Sequence, residues 1–303
     1  MTTTNSVPRP LTHYAWLSIA TAAITILLKG AAWKLTGSVG LLSDAIESLV
    51  NLAGAVMALW MLSLAAQPAD KTHAFGHGKA EYFSSAFEGF LILVAAISIA
   101  ITAAGRLLNP APLEEVGIGL VVSVLASIAN AATATILLKA GKARNSITLE
   151  ADAHHLFTDV WTSAGVVGGV GLVWLTDWLW LDPVVAMMVA GNIVWTGYRL
   201  LRRSANGLMD ASLPEATVAR IRDLLSSYAP QQIGYHALQT RESGGVAFIK
   251  LHLLVPDHWT VVEGHEWAER IENSIREIVP HGHVTTHIEP LSLAGHEEEV
   301  PTR

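Results

Sequence analysis

A chain of 303 residues that is 51% hydrophobic and only 15% charged, with a mean hydropathy of +0.40, is too apolar for an ordinary soluble domain. The absence of cysteine excludes disulfides and any thiolate metal site, leaving His, Asp, Glu and Asn as ligands. The net charge of −7 points away from nucleic acid as a partner.

The charge is unevenly divided. Residues 1–206 carry 12 Lys+Arg against 12 Asp+Glu, whereas residues 207–303 carry 7 against 14 and eight of the 13 histidines. This split predicts a transmembrane domain over 1–206, a cytoplasmic cation-binding domain over 207–292 and a disordered acidic tail over 293–303. Met1 to Pro10 lacks the charged and apolar regions of a signal peptide, so none is expected.

Six apolar stretches, at about 13–35, 38–65, 82–107, 114–139, 148–175 and 179–201, each approach or exceed the roughly 20 residues a spanning helix needs. The second and fifth contain Glu47-Ser-Leu-Val-Asn51 and His155-Leu-Phe-Thr-Asp159. Residues four apart share a helix face, so each segment presents a pair of donors, and two such helices side by side offer four converging ligands. An ionisable group at membrane depth costs about 2.5–3.5 kcal/mol or more and is rare unless it lines a polar path or binds something. A hydrogen-bonded structural cluster is the alternative; two pairs with one spacing favour a site for a transported ion.

Lys29 and Glu88 fall inside the first and third stretches and are read as structural, Lys29 snorkelling or pairing with an acid and Glu88 hydrogen-bonding within the bundle. Between the second and third stretches stands Asp70-Lys-Thr-His73-Ala-Phe-Gly-His77-Gly-Lys79-Ala-Glu81. A turn there would gather Asp70, His73 and His77, a carboxylate and two imidazoles suited to Zn²⁺; a solvated loop with capping histidines is the alternative. Arg9, Lys71, Lys79, Lys139, Lys142, Arg144, Arg199, Arg202 and Arg203 fall on one side of the membrane, against Lys34 and Arg106 on the other. Both termini are therefore expected in the cytoplasm.

Past Asp210 the pattern becomes α-β-β-α-β: a helix over 214–228, strands near 234–241 and 246–255 about Ser243-Gly244-Gly245, a helix over 260–278 and a strand over 283–291. That order suits a small sheet with two helices on one face. His287 and Glu289 lie two apart and face the same way, and His236, His252 and His265 stand on neighbouring elements. The five are read as a shared metal site, with unpartnered surface histidines as the alternative.

Ser43-Asp44-Ala45, the Asp70 to Glu81 stretch, His155-x-x-x-Asp159, Leu208-Met209-Asp210 and Thr285-Thr286-His287-Ile288-Glu289-Pro290 together resemble the cation diffusion facilitator family, most closely its bacterial zinc/iron efflux branch, over about residues 12–291. The resemblance implies six spans per protomer, a homodimer in the lipid of the inner membrane, and a metallochaperone-like cytoplasmic domain. It further implies exchange of a divalent metal (Zn²⁺, Fe²⁺ or Mn²⁺) for protons, a transport activity and not an enzymatic one. By position it places the transport site at Glu47, Asn51, His155 and Asp159, the loop site at Asp70, His73 and His77, and the cytoplasmic site at His236, His252, His265, His287 and Glu289. Lys79 and Asp210 match a charge interlock at the dimer interface. The second-span pair departs from the zinc branch, which has Asp or His and then Asp where this chain has Glu47 and Asn51. A membrane-anchored metal sensor and an intramembrane metalloprotease are the rival readings. A sensor needs no charged pairs deep in two spans, and the sequence contains no His-Glu-x-x-His.

Overall fold

The computed structural model describes residues 11–36, 39–108, 117–176, 178, 180–280 and 282–293. Of the tail expected over 293–303, Leu293 closes a 3₁₀ turn, Leu291–Leu293, and the rest lies outside the described residues. The chain divides into two compact units, Met1–Ala205 and Asn206–Arg303.

The first unit is built from α1 (Thr12–Thr36), α2 (Val39–Ala65), α3 (Ala80–Leu108), α4 (Gly117–Arg144), α5 (Ile147–Thr176) and all but the last three residues of α6 (Leu181–Leu208). The shortest has 25 residues and the longest 30. At about 1.5 Å per residue each is longer than the ~30 Å hydrocarbon core of a bilayer. Among the described residues, four helical segments are long and apolar enough to cross: Thr12–Ala32, Ala80–Leu108, Val124–Arg144 and Pro183–Leu208. The other two helices, α2 and α5, are the ones that carry the paired polar residues. Helices α4 and α6 run past the apolar stretches into Lys142, Arg144, Arg202 and Arg203, because Lys and Arg are good helix formers and the ladder does not stop where hydropathy falls.

The bundle is apolar outside and small and polar inside. Trp16, Leu27, Phe83, Phe90, Ile101, Ile128 and Met188 point outward, whereas Ala15, Ala58, Ala96, Ala134, Ala151 and Ala153 are buried. Lipid supplies no hydrophobic drive between helices, so close approach through small residues and interhelical hydrogen bonds do the joining. Thr21 and Thr133 share a hydrogen bond of 2.7 Å between α1 and α4, and Ser204 donates to Ser85 at 2.9 Å between α6 and α3. Where α5 begins, the buried Glu81 of α3 accepts from the Ser146 hydroxyl and, at 3.3 Å, from the Thr148 backbone N–H. Thr148 Oγ1 also donates to the Glu81 carbonyl at 3.2 Å. A carboxylate at a helix N-terminus meets unpaired N–H groups and the positive end of the dipole.

The second unit runs α7 (Glu215–Ser226), β1 (Gly234–Ser243), β2 (Val246–Val255), α8 (Val261–Ile278) and β3 (His283–Pro290), in the expected order. β1 and β2 form a hairpin through Gly244, whose φ of +61° suits a residue without Cβ. β3 lies parallel to β2 on its other side, and a parallel neighbour requires a crossover, which α8 provides. Thr260 and Glu263 form a reciprocal capping box at the start of α8, an arrangement in which losing the Thr costs about 1 kcal/mol. Alternate residues of β2, from Ala247 through Ile249, Leu251 and Leu253 to Val255, pack against Val218, Ile221 and Leu225 of α7 and Ala268, Ile271 and Ile275 of α8. Both helices therefore cover one face of the sheet, and His252 belongs to the opposite parity.

Candidate metal centre

The polar heart of the bundle lies where α2, α3, α4 and α5 meet. Asn51 of α2 and Asp159 of α5 are 6% and 9% exposed, His155 is 5% exposed, and Glu88 of α3 is wholly buried. The Asn51 amide faces two ways: Nδ2 donates to Asp159 Oδ2, while Oδ1 lies 2.6 Å from His155 Nε2. Asn130 of α4 donates to the same Asp159 oxygen at 3.1 Å. Two neutral N–H donors stabilise a carboxylate far from water without cancelling its charge. Three of the four residues read from the sequence are thus brought to one point. Glu47 lies in α2 one turn before Asn51, but its side chain lies outside the described residues.

The far side of the His155 ring is also occupied. Nδ1 lies 3.1 Å from Glu88 Oε2, so both ring nitrogens face oxygens. Next along the face of α5 that bears His155 and Asp159, the buried Asp152 accepts from Ser18 Oγ of α1 at 3.0 Å. Glu88, Asn130 and Asp152 were not assigned to this region from sequence. Glu88 and Asp152 carry the same signal as the assigned acids, an ionisable group at membrane depth. Asp152, His155 and Asp159 also follow the three- and four-residue spacing of one helix face. Asn130 carried no such signal.

In the loop after α2, Asp70, His73 and His77 come together, with ligand atoms all within 4.8 Å of one another. Asp70 Oδ1 accepts from the backbone N–H groups of Thr72 and His73 and from the Thr72 hydroxyl, each at 2.7 Å. The Thr72 hydroxyl and those amides favour the charged form and hold the carboxyl at about 2. Nδ1 of His73 and Nε2 of His77 each stand 3.5 Å from a different Asp70 oxygen.

On the open face of the C-terminal sheet, register does the assembly. His236 pairs with His252 across β1 and β2, and His252 pairs with His287 across β2 and β3. A break in register follows His236, where Ala237 has φ +49°, the mark of a bulge that re-aims a side chain. Glu289 joins the row: Oε2 is 2.8 Å from His236 Nε2, and Oε1 is 2.8 Å from His252 Nδ1 and 3.5 Å from His287 Nε2. The hydrogen bond from His236, with the neighbouring His252 and His287, holds the Glu289 carboxyl below its ordinary range. His236, His252 and Glu289 meet the spacing a metal ion needs, with the more exposed His287 beside them.

His265 is not brought to this group. It lies on α8, which packs on the other face, and is exposed beside Glu269 at 3.6 Å. Asp210 accepts from Arg241 of β1 at 2.9 Å.

Residues 15–209 match the cation efflux transmembrane domain, and residues 213–291 match the cytoplasmic domain of cation efflux proteins. The chain is 52% identical over 278 residues to the uncharacterized transporter sll1263 of Synechocystis, an alignment covering 92% of this chain and 90% of that one. It is 31% identical over 276 residues to the cation-efflux pump FieF of Citrobacter koseri, covering 91% of each. Identity to FieF of Salmonella newport is also 31%, over 289 residues and 95% and 96% of the two chains.

Proposed function

Because the chain belongs to the cation efflux, or cation diffusion facilitator, family, we propose that it exports a divalent transition-metal ion across the inner membrane in exchange for protons, as a homodimer with both termini in the cytoplasm. Zn²⁺, Fe²⁺ and Mn²⁺ are the substrates that suit its donors. The observation that carries this reading is the convergence of His155 Nε2, Asn51 Oδ1 and Asp159 Oδ2 inside the bundle, one helical turn from Glu47.

The geometry suggests how one ion replaces another. A ring whose two nitrogens both face oxygens can carry a proton on each, one shared with Asn51 and one on the side of the Glu88 carboxylate. An arriving metal ion needs the Nε2 lone pair and so displaces that proton; the proton returns when the metal leaves. Asp159 supplies negative charge, and Asn51 turns a neutral oxygen toward the ion. Alternation of this site between the two sides of the membrane couples the fluxes.

Three oxygen donors with a single imidazole tilt the site away from strict zinc selectivity, since Mn²⁺ and Fe²⁺ accept oxygen-rich sets with more ligands. The loop and sheet groups are proposed as accessory metal sites, with His236, His252, His287 and Glu289 acting together. The test is metal uptake into proteoliposomes driven by an imposed pH gradient, across Zn²⁺, Fe²⁺, Mn²⁺, Co²⁺ and Cd²⁺. Gradient-dependent flux of several of these ions is expected, and flux indifferent to the gradient would overturn proton exchange.

A further inference from the structure

Glu88 has no part in the four-residue reading of the site, yet α2, α3 and α5 are fitted around it. It is wholly buried, and among the described residues neither carboxylate oxygen accepts a conventionally directed hydrogen bond. An unsatisfied carboxylate inside a membrane bundle is costly, so its retention calls for a partner. Facing it is His155 Nδ1, 3.1 Å from Oε2.

Space for this contact is made by a missing side chain on a third helix. Gly54 of α2 stands three residues after Asn51, and a methyl group built there would fall 3.0 Å from Glu88 Cδ and closer still to Oε1. The helix that offers Asn51 Oδ1 to Nε2 therefore also leaves room for the acid that faces Nδ1.

We propose that Glu88 is a positioning residue for His155: its carboxylate holds the Nδ1 proton and the ring plane, so that Nε2 is the atom presented to the transported ion. The proposal rests on the reading of His155 as a ligand. Its physical basis is general, since a ligating imidazole whose other N–H is held by a carboxylate is fixed in tautomer and made a stronger donor, and losing such a partner lowers metal affinity by about 10- to 100-fold. With Nδ1 held, the ring cannot present the wrong nitrogen.

The test uses the full chain with ¹⁵N-labelled histidine, purified in detergent and loaded with Zn²⁺, the His155 signals being identified by their loss in His155→Ala. Wild-type protein is expected to show protonated Nδ1 and metal-bound Nε2. Glu88→Gln, which keeps the volume, should admit the other tautomer and raise the KM for Zn²⁺ flux in proteoliposomes by about 10-fold or more. Gly54→Ala should act in the same direction by pushing the carboxylate off the ring, although it removes no polar group. Thermal unfolding of each metal-free variant identifies a protein that simply fails to fold, and Glu88→Asp then supplies the charge-retaining comparison, expected to fall between wild type and Glu88→Gln. Metal on Nδ1 in the wild type, or an unchanged tautomer and KM in folded Glu88→Gln, would overturn the positioning role. Loss of the ligand reading looks different: there His155 shows no metal-bound signal in any variant.

Discussion

The bundle and the C-terminal sheet each gather histidine and carboxylate, and they do so by opposite routes. In the sheet the backbone ladder sets the positions: His236, His252 and His287 stand in register, and Glu289 follows two residues on. In the bundle no ladder runs between helices, and the polar side chains that converge there are themselves contacts between α2, α3, α4 and α5. The sheet cluster is therefore expected to survive the loss of one of its side chains as a fold, and the bundle cluster to lose part of its architecture with each residue removed.

The sharpest way to break that contrast is Asp159→Ala. It removes the acceptor shared by Asn51 and Asn130, so transport should fall by at least 100-fold, and unfolding in detergent should show a destabilisation of about 1–3 kcal/mol from the stranded amides. Near-normal flux would refute the site, and lost flux with unchanged stability would refute the claim that ligand and scaffold are the same atoms.

A smaller effect is expected where a ligand is exchanged and not deleted. Asn51→Asp adds a charge, places a second carboxylate against Asp159 and should shift the transport ranking toward Zn²⁺ and Cd²⁺ by several-fold. An unchanged ranking in the metal panel would mean that selectivity resides elsewhere than in the donor set.

The sheet supplies the opposite outcome. The fragment 207–303, which contains its own apolar core, should gain about 2.7 kcal/mol at a Zn²⁺ concentration 100 times Kd, read as a rise in Tm. His252→Ala with Glu289→Ala should abolish the gain and leave the metal-free Tm within a few degrees; a large fall without metal would erase the distinction between the regions. His265→Ala should leave the gain intact. The pH dependence has a definite sign: Glu289 is held below its ordinary value, so what its charged form contributes is present above about pH 4.5 and fades as pH falls through the lowered value.

The smallest effect belongs to the loop. Thr72→Val removes the hydroxyl that contributes most to lowering Asp70, so the carboxyl should rise from about 2 toward 3.8, measurable by carboxyl ¹³C NMR. The direction follows the same linkage: the charged form of Asp70 is favoured above its ordinary value and lost as pH falls through about 2. No movement on substitution would mean that the backbone N–H groups of Thr72 and His73 suffice.

The same contrast explains what the sequence revealed. Helical and strand periodicity are local, so the six long helices, the α-β-β-α-β order and the i, i+4 spacing of His155 and Asp159 were all readable. The neighbours of Asp159 were not, because Asn130 lies on another helix and only packing brings it there. Glu88 reads from sequence as a structural residue hydrogen-bonded within the bundle, and only packing shows that the group it faces is His155. His265 shows a different gap: the parity of β2 already places His252 opposite Leu251 and Leu253, and a helix covering those leucines cannot reach the histidines. Counting ligands without assigning faces made five where the sheet aligns four.

Glu81 carries a consequence for motion. Its carboxylate and carbonyl clasp Ser146 and Thr148, tying the start of α3 to the start of α5 inside the bundle. A rearrangement that pried those two helix ends apart would strip a buried charge of its donors, whereas one that swung them as a single lever would leave the clasp whole. His155 lies on α5 and Glu88 on α3, so in that second kind of motion their contact would persist while the contact of His155 to Asn51 on α2 need not.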